Sequence, residues 1–202
     1  MDHPKQSHYP SFDVLTEKEN WDVVTQQVIN NRTNPNREKY FSNEEKELLL
    51  SLLPLLFPSH LGELSIDVIT LFENRCANGK VIGYPIGSKY KKLQIVHIGL
   101  ENIQKQIYSQ HETIFSKLSE DTQKIVIKDI QKNLGYLNIW EKVSPQLFFK
   151  TLLKELIPIV YSDPSIWSDI GYGGPAYPRG YYAFGPEQFD SWEAKRNDKK
   201  EE

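Results

Sequence analysis

The glycines near the C-terminus come closest to a known binding motif. Gly171, Gly173 and Ala176 fit G-x-G-x-x-A, a variant of the fingerprint with which a dinucleotide-binding fold holds a pyrophosphate. That fingerprint needs a strand before it and a helix after it, because the helix N-terminus receives the phosphates. Here a helical pattern precedes the glycines, and Pro175 and Pro178 disfavour a helix after them. The match therefore does not predict a nucleotide site.

Histidine and cysteine, the usual metal ligands and nucleophiles, show no catalytic spacing. The five histidines include no pair spaced as in HExxH or a facial triad, and no G-x-S-x-G or Walker loop occurs. His97 and His111 lie at or beside an apolar helical stripe, which favours hydrogen-bonded structural histidines. Cys76, the only cysteine, falls on an apolar helical face and is predicted to be a core residue. We therefore predict no catalytic residue, cofactor or metal in this chain, which would not be an enzyme by itself.

Composition argues against several other classes of protein. The 202 residues carry 24 basic and 27 acidic side chains, a formal charge of −3, spread along the sequence. We therefore expect neither nucleic acid nor a membrane surface as a partner. A single cysteine excludes an intramolecular disulfide and fits a reducing compartment. The sequence shows neither an export signal of its own nor the roughly 18 consecutive apolar residues of a spanning helix.

Apolar periodicity predicts an all-α fold, an irregular bundle of about five to seven helices. Ser42 and Glu45 form a capping-box arrangement before a leucine-rich helix that Pro54 should kink or end. Five further helices are predicted from apolar residues at helical spacing. The first two are at Trp21, Val24 and Val28, and at Ile69, Phe72 and Cys76, where Gly79 stops the helix; the next two are at Leu93, Val96, Leu100, Ile103 and Ile107, and at Val126, Ile127, Ile130 and Leu134, where Gly135 stops the helix. The last begins at Ser144 and Pro145 and contains Phe148, Phe149, Leu152, Leu153, Leu156 and Ile157.

These patterns divide the chain into four predicted parts. An extended N-terminal arm with one short helix occupies residues 1–40, and a helical domain occupies residues 41–161. A segment rich in Gly, Pro and aromatic residues follows at 162–192. A charged tail, expected to be disordered, occupies 193–202.

The irregular segment "SDPSIWSDIGYGGPAYPRGYYAFG" has two interpretations. In the first, its rings, including Tyr182 and Phe184, pack back over the helices as a belt whose turns are set by Gly and Pro. In the second, they form an interface, since Tyr, Trp and Arg supply rigid contact area for protein partners. Arg179 is then the candidate polar anchor, because its planar guanidinium can bind a carboxylate or carbonyl groups at two points. The candidate partner-binding residues are Trp167, Tyr172, Pro175, Tyr177, Arg179 and Tyr181.

Several stretches of the sequence carry a resemblance to a known family. The most specific is "YSDPSIWSDIGYGGPAYPRGYY", which combines rare residues at fixed spacing and is followed by "DSWEA". The resemblance extends over nearly the whole chain, through "YPSFDVL", "KYFSNEEKELL", "KLSEDTQKIVIKDIQ" and "LFFKTLLKELIPIVY". On these residues the sequence resembles the gluconate 2-dehydrogenase subunit 3 family. These small helical subunits accompany FAD-dependent oxidoreductases of the glucose-methanol-choline type.

The resemblance implies a noncatalytic small subunit in a hetero-oligomer. The large subunit would bind FAD and oxidise a sugar, a sugar acid or another polyol-like alcohol, and a cytochrome subunit could join the complex. This chain would hold no cofactor and would stabilise or mature its partner. The alternative function is that of a carbohydrate-binding accessory protein, with the aromatic segment as the stacking surface.

Two departures from the family pattern limit what the resemblance implies. Several members carry a twin-arginine export signal, which residues 1–20 lack. The chain is therefore expected in the cytoplasm, or exported in folded form on a partner's signal. Similar sequences often have a histidine where Asp163 precedes Pro164. We expect Asp163 to start a turn through its side chain.

Overall fold

The computed structural model describes residues 8–58, 61, 63–136, 138–183, 185 and 188–195. In this part of the chain all regular elements are helices: α1 (Val23–Thr33), α2 (Asn43–Leu56), α3 (Val68–Ala77), α4 (Lys92–His111), α5 (Glu120–Gln131), α6 (Pro145–Val160) and α7 (Pro164–Ile170), with 3₁₀ helices at Val14–Asn20 and Phe115–Lys117. The predicted all-α fold is confirmed. None of these described helices has the length and apolar character needed to cross a membrane.

The described residues group into two compact units. The first unit draws on the described residues within 1–36, 60–67 and 159–202, and its helices are the 3₁₀ helix Val14–Asn20, α1 and α7. The second unit draws on residues 37–59 and 68–158 and holds α2 to α5 with most of α6.

Side-chain caps start two helices of the second unit where the sequence predicts them. The Ser42 hydroxyl accepts a hydrogen bond from the Glu45 backbone N–H at 3.1 Å, and the Glu45 carboxylate accepts one from the Ser42 N–H at 2.9 Å. Ser144 accepts the Leu147 N–H at 3.3 Å, and Pro145 is the first residue of α6. The capping box and the Ser-Pro start are both confirmed. Pro54 lies inside α2, which ends shortly after it at Leu56.

Helix α4 contributes a long buried face to the second unit. Its residues Val96, Leu100, Ile103 and Ile107 are buried, as the apolar stripe predicts. The Gly99 backbone lies so close to the Phe148 ring of α6 that a Cβ built on Gly99 would lie 1.9 Å from a ring carbon. On the same helix, Gln106 accepts a hydrogen bond from the Trp140 indole N–H at 2.8 Å. Close backbone approach and a buried polar contact thus fix α4 against its neighbours.

The short helix predicted from Trp21, Val24 and Val28 is present as α1, but these three residues do not form its buried face. Val24 is 67% exposed and Val28 45% exposed, whereas Trp21 and Ile29 are buried. The reason is that Trp21 precedes the helix. Asp22 caps α1 by accepting the Val24 N–H, and the helix begins only at Val23. A helical period counted from Trp21 therefore selects the wrong face.

Two further details of the second unit differ from the sequence pattern. Helix α5 ends at Gln131, and Asn133, with φ 65°, takes the left-handed position that was predicted for Gly135. Leu134 consequently lies outside the helix and is 60% exposed. On α6, Phe148, Leu152 and Leu156 are buried, Phe149 and Leu153 are half-buried, and Ile157 is exposed. The buried face of α6 is therefore narrower than predicted.

Candidate partner-binding surface

Asp163 starts the C-terminal segment and fixes it to an earlier loop of the first unit. The carboxylate is fully buried and caps α7 by accepting the Ser165 N–H at 2.8 Å. It also accepts the Ser65 N–H at 2.7 Å, the Ser65 hydroxyl at 2.5 Å and the Ile66 N–H at 3.3 Å. Asp163 therefore does start a turn, as expected, and it also fastens residues 65 and 66 to α7. The sequence gives no signal for that second role.

Trp167 on α7 belongs to the apolar core of the first unit. It packs with Val14, Trp21 and Ile29 and is only 7% exposed. Its indole N–H donates to the Tyr161 carbonyl at 2.8 Å. The Tyr172 ring meets it edge-on at a centroid distance of 5.3 Å. Arg32 on α1 lies 5.8 Å above the Trp167 ring, and burial lowers the pKa of Arg32, with Tyr172 opposing the shift.

The glycines after α7 make room for aromatic rings. Gly171 ends the helix with φ 71°, and a Cβ there would come within 2.5 Å of the Tyr9 ring. A Cβ on Gly173 would come within 2.7 Å of the Trp192 ring, and one on Gly174 within 2.6 Å of Trp21. Rings of this chain already occupy the space that a pyrophosphate would need beside the backbone. The residues therefore do not fit a dinucleotide, as the sequence pattern also indicates.

Arg179 holds the irregular segment together from within. Its guanidinium donates to the Glu17 carboxylate at 3.2 Å and to the carbonyls of Gly173 and Pro175 at 3.1 Å and 3.2 Å. The same group lies 4.0 Å from the centre of the Trp192 ring. The Arg179 side chain is only 11% exposed. It thus binds a carboxylate, two carbonyls and an aromatic face of its own unit.

A second buried carboxylate orders the end of the described chain. Asp190 accepts the backbone N–H groups of Tyr182 and Ala183 at 3.1 Å and 3.0 Å, and its own N–H donates to Glu193 at 2.7 Å. Two residues of the predicted charged tail take part in this packing, since Glu193 makes this contact and Ala194 is buried. Residues 196–202 of that tail, and Phe184, lie outside the described residues.

Tyrosine side chains form the outer face of this framework. Tyr172 is 41% exposed, Tyr177 72% and Tyr181 51%. Tyr181 also contacts Trp192 at a ring-centroid distance of 4.8 Å. Burial raises the pKa of Tyr181, and Tyr172 adds to the shift. Tyr182 and Phe189, 67% and 47% exposed, are further exposed aromatics of the same segment. We call Tyr172, Tyr177, Tyr181 and Tyr182 the tyrosine surface.

The structure separates the six candidate partner-binding residues into two groups. Trp167 and Arg179 are used inside the unit, and Pro175 is half-buried with its carbonyl bound by Arg179. Tyr172, Tyr177 and Tyr181 are exposed. The packed-belt interpretation fits the first group, whose side chains are buried or half-buried. The interface interpretation fits the second group, whose side chains are exposed.

The supporting residues that sequence reasoning missed lie outside residues 171–179, and most of them are far away in the chain. Tyr9, Glu17 and Trp21 contact the segment from the N-terminal region, and Trp192 contacts it from the C-terminal side. Trp192 does lie within "DSWEA", one of the stretches that carry the family resemblance. No local period links the other three to residues 171–179.

Groups with catalytic potential in the second unit have structural partners. His97 Nδ1 lies 2.5 Å from the Glu45 carboxylate, which also caps α2. This matches the predicted hydrogen-bonded structural histidine. Burial raises the pKa of the Cys76 thiol to about 12, and Glu155 adds to the shift. Among the described residues, no cluster of His, Cys, Asp and Glu is arranged to hold a metal ion.

The fold and this surface define a small all-helical protein that presents ordered aromatic side chains. The model of the family described as gluconate 2-dehydrogenase subunit 3 matches residues 43–174, more than half of the chain. The chain belongs to this family, and the resemblance is confirmed. No curated protein and no solved structure matches the chain. The matched residues end at Gly174, so Tyr177, Arg179 and Tyr181 lie beyond them.

Proposed function

We propose that this chain is the noncatalytic small subunit of an FAD-dependent sugar or alcohol dehydrogenase complex. In this role it stabilises or matures a catalytic flavoprotein of the glucose-methanol-choline type, and a cytochrome subunit can complete the complex. Family membership supports the assignment to a dehydrogenase complex. The proposal is the same for a complex in the cytoplasm and for one exported in folded form, because it depends only on contacts between subunits.

The observation that carries the proposal is an exposed tyrosine surface on an ordered framework. Tyr177 and Tyr181 expose 72% and 51% of their area, while the backbone around them is fixed by Arg179 and Asp190. Tyrosine loses little conformational entropy on binding and is enriched in protein interfaces. A framework ordered before binding lowers the cost of association further. We assign the contact with the flavoprotein to this surface.

In this proposal Arg179 supports the interface without forming its centre. Its guanidinium is bound by Glu17, Gly173 and Pro175 of the same chain, and it is covered by Trp192. It holds the backbone from which Tyr177 and Tyr181 project. Its loss would therefore weaken assembly by loosening that backbone.

The flavin is assigned to the partner. The dinucleotide-binding fold commonly holds FAD through a Gly-rich turn, and here the two glycines of G-x-G-x-x-A, Gly171 and Gly173, are covered by Tyr9 and Trp192. The proposed work of this chain is to stabilise a flavoprotein that carries out the oxidation itself. Its effect should therefore appear as bound FAD and soluble flavoprotein.

Co-expression with the flavoprotein tests the proposal. We expect one peak in size exclusion that contains both chains and absorbs as bound flavin, and we expect less FAD or less soluble flavoprotein when this chain is omitted. The variant Tyr177→Ser/Tyr181→Ser should raise the dissociation constant at least about 30-fold, the effect of losing about 2 kcal/mol at an interface hot spot. Tyr108→Ser on α4 is the matched control, since Tyr108 is 65% exposed on the second unit.

Two outcomes would contradict the proposal at different levels. If the two chains elute separately and the flavoprotein is fully active alone, the subunit function is wrong. If the complex forms and the tyrosine variant binds as tightly as Tyr108→Ser, the assigned surface is wrong. Calorimetry with glucosides tests the alternative function, because exposed tyrosine rings can also stack on sugars. Binding that Tyr177→Ser/Tyr181→Ser abolishes would favour the carbohydrate-binding accessory protein.

A further inference from the structure

An apolar loop projects from the second unit between α3 and α4. We call residues 80–91 the 80–91 loop. Ile82 is 71% exposed, Tyr84 58% and Ile86 104%, so Ile86 is fully surrounded by solvent. The neighbouring Val81 is buried and fixes the base of the loop. Two isoleucines and a tyrosine are exposed at alternate positions within five residues, which is a local concentration of exposed apolar side chains, unlike single surface residues that need no explanation.

The loop has a defined backbone conformation. Gly83 and Gly87 have φ of 90° and 76°, values that side-chain-bearing residues rarely adopt. The Lys92 N–H donates to the Gly83 carbonyl at 3.0 Å, and the Ser88 N–H donates to the Pro85 carbonyl at 3.0 Å. These contacts close the backbone around Ile86, which stays exposed together with Ile82.

The sequence around the loop carries only positive charges. No aspartate or glutamate occurs between Glu73 and Glu101. Lys92 is paired with Glu155 at 2.7 Å. No ion pair joins Lys80, Lys89 or Lys91 to another described residue, and the three side chains are exposed. The overall charge of −3 conceals this local excess, because it averages over the whole chain.

The basic residues of the loop, all of them lysine, favour a lipid partner over a protein partner. Protein interfaces are enriched in arginine and depleted in lysine. Surfaces that attach to anionic lipid combine lysines, which attract the headgroups, with apolar and aromatic side chains that enter the acyl boundary. The 80–91 loop contains three lysines and no arginine, and its isoleucines project with Tyr84 between them. A tyrosine suits that boundary because its ring is apolar and its hydroxyl is polar.

We propose that the 80–91 loop attaches this protein peripherally to an anionic membrane surface. Ile82 and Ile86 enter the boundary between headgroups and acyl chains, Tyr84 lies at headgroup depth, and Lys80, Lys89 and Lys91 contact lipid phosphates. This attachment needs no membrane-spanning helix. It departs from the expectation, drawn from overall charge, that a membrane surface is not a partner. The proposal does not depend on the flavoprotein.

Vesicle sedimentation of the full chain measures the attachment. The vesicles contain about one-third phosphatidylglycerol in phosphatidylcholine, with pure phosphatidylcholine vesicles for comparison. We expect binding to the anionic vesicles that weakens with added salt. Ile82→Ser/Ile86→Ser should lower the partition coefficient at least about tenfold, and each of Lys80→Gln, Lys89→Gln and Lys91→Gln about fivefold. Ile125→Ser is the matched control, because Ile125 is 60% exposed on α5 of the same unit.

A dye at the tip of the loop distinguishes insertion from adsorption. Cys76 is buried and its thiol pKa is raised to about 12, so a thiol-reactive dye will label a cysteine introduced by Ile86→Cys in preference to it. We expect the emission of an environment-sensitive dye to shift to the blue on anionic vesicles when it is attached through Ile86→Cys. The same dye attached through Ile125→Cys should show no shift.

The results that overturn the proposal are specific. Absence of binding to the anionic vesicles, or binding that is unchanged in Ile82→Ser/Ile86→Ser, would show that the loop does not attach the protein to lipid. If those substitutions instead abolish copurification with the flavoprotein and no vesicle binding is seen, the loop is a protein contact. If the protein proves not to be a subunit of a dehydrogenase complex, the expected binding to anionic vesicles stays the same.

Discussion

Glu17 and Arg179 are joined by a 3.2 Å contact between carboxylate and guanidinium, although 162 residues separate them in the sequence. This contact ties the 3₁₀ helix Val14–Asn20 to the irregular C-terminal segment. The two carbonyls bound by the same guanidinium belong to the turn that carries the glycines. The first unit is therefore assembled from both ends of the chain, and Arg179 is one of the residues that join them, with Trp167 as another.

Arg179→Ala should loosen the C-terminal segment. The substitution leaves two carbonyls without the donor they have here and removes the ion pair of Glu17, which keeps its hydrogen bond from the Asn20 amide, so we expect a loss of about 2 to 3 kcal/mol in the free energy of unfolding. Hydrogen exchange in residues 171–183 should quicken, while the helical circular dichroism changes little because the segment is irregular. Arg179→Lys should rescue little, since an ammonium group has neither the planar fork nor the stacking face.

The control for this prediction is Arg37→Ala. Arg37 is exposed on the second unit, and its loss should change the free energy of unfolding by less than about 0.5 kcal/mol. Exchange rates in Arg179→Lys equal to those of the natural chain would show that charge alone holds the segment and that the planar fork of the guanidinium is not required.

Asp163 offers a test of the buried carboxylate that starts α7. Asp163→Ala leaves three backbone N–H groups, those of Ser65, Ile66 and Ser165, without their acceptor. We expect a loss of about 3 to 4 kcal/mol on denaturant unfolding. Asp163→Asn keeps one oxygen and should lose about 1 to 2 kcal/mol, because its NH₂ group faces donors.

Asp121→Asn serves as the matched control for Asp163→Asn. Asp121 is an exposed residue in the first turn of α5, where a carboxylate contributes only a few tenths of a kcal/mol through the helix dipole. Equal losses in the two variants would mean that the hydrogen bonds of Asp163 add nothing to stability.

Local patterns predicted the helices, and long-range contacts account for what they missed. The Ser42 capping box and the α4 stripe depend on residues three or four apart, so the sequence displays them directly. Whether Gly171 faces the Tyr9 ring depends on how distant segments come together, and no local period records that. The α1 error is also physical, since Asp22 caps the helix after Trp21 and so excludes Trp21 from it. The six candidate partner-binding residues were all named from local sequence, but their division into buried and exposed residues required the structure.

Gly99→Ala should destabilise the second unit, although alanine is the better helix former. In an exposed helix interior this substitution stabilises by about 1 kcal/mol. Here the new Cβ would meet the Phe148 ring at 1.9 Å, and such overpacking costs about 1 to 3 kcal/mol. We therefore expect a net loss in denaturant unfolding. In a chain that already carries Phe148→Leu, adding Gly99→Ala should cost less free energy of unfolding than it costs in the natural chain, because the new Cβ no longer meets the ring. Equal costs in the two backgrounds would contradict the contact.

Glu45 should make the stability of the second unit depend on pH in the acid range. Burial alone would raise the pKa of its carboxyl group, but hydrogen bonds from His97 and Ser42 outweigh burial and lower the pKa from its usual 4.5. A group whose pKa is lower in the folded state stabilises the fold above its unfolded pKa and loses that contribution as the pH falls through the folded value.

Glu45→Gln should thus be less stable than the natural chain by about 1 kcal/mol near pH 6, and the difference should shrink below about pH 4.5. Urea unfolding at a series of pH values measures this difference. Glu44→Gln, an exposed neighbour, should show a smaller one. A Glu45→Gln difference that stays constant down to pH 3 would contradict the stabilising role of the ionised carboxylate.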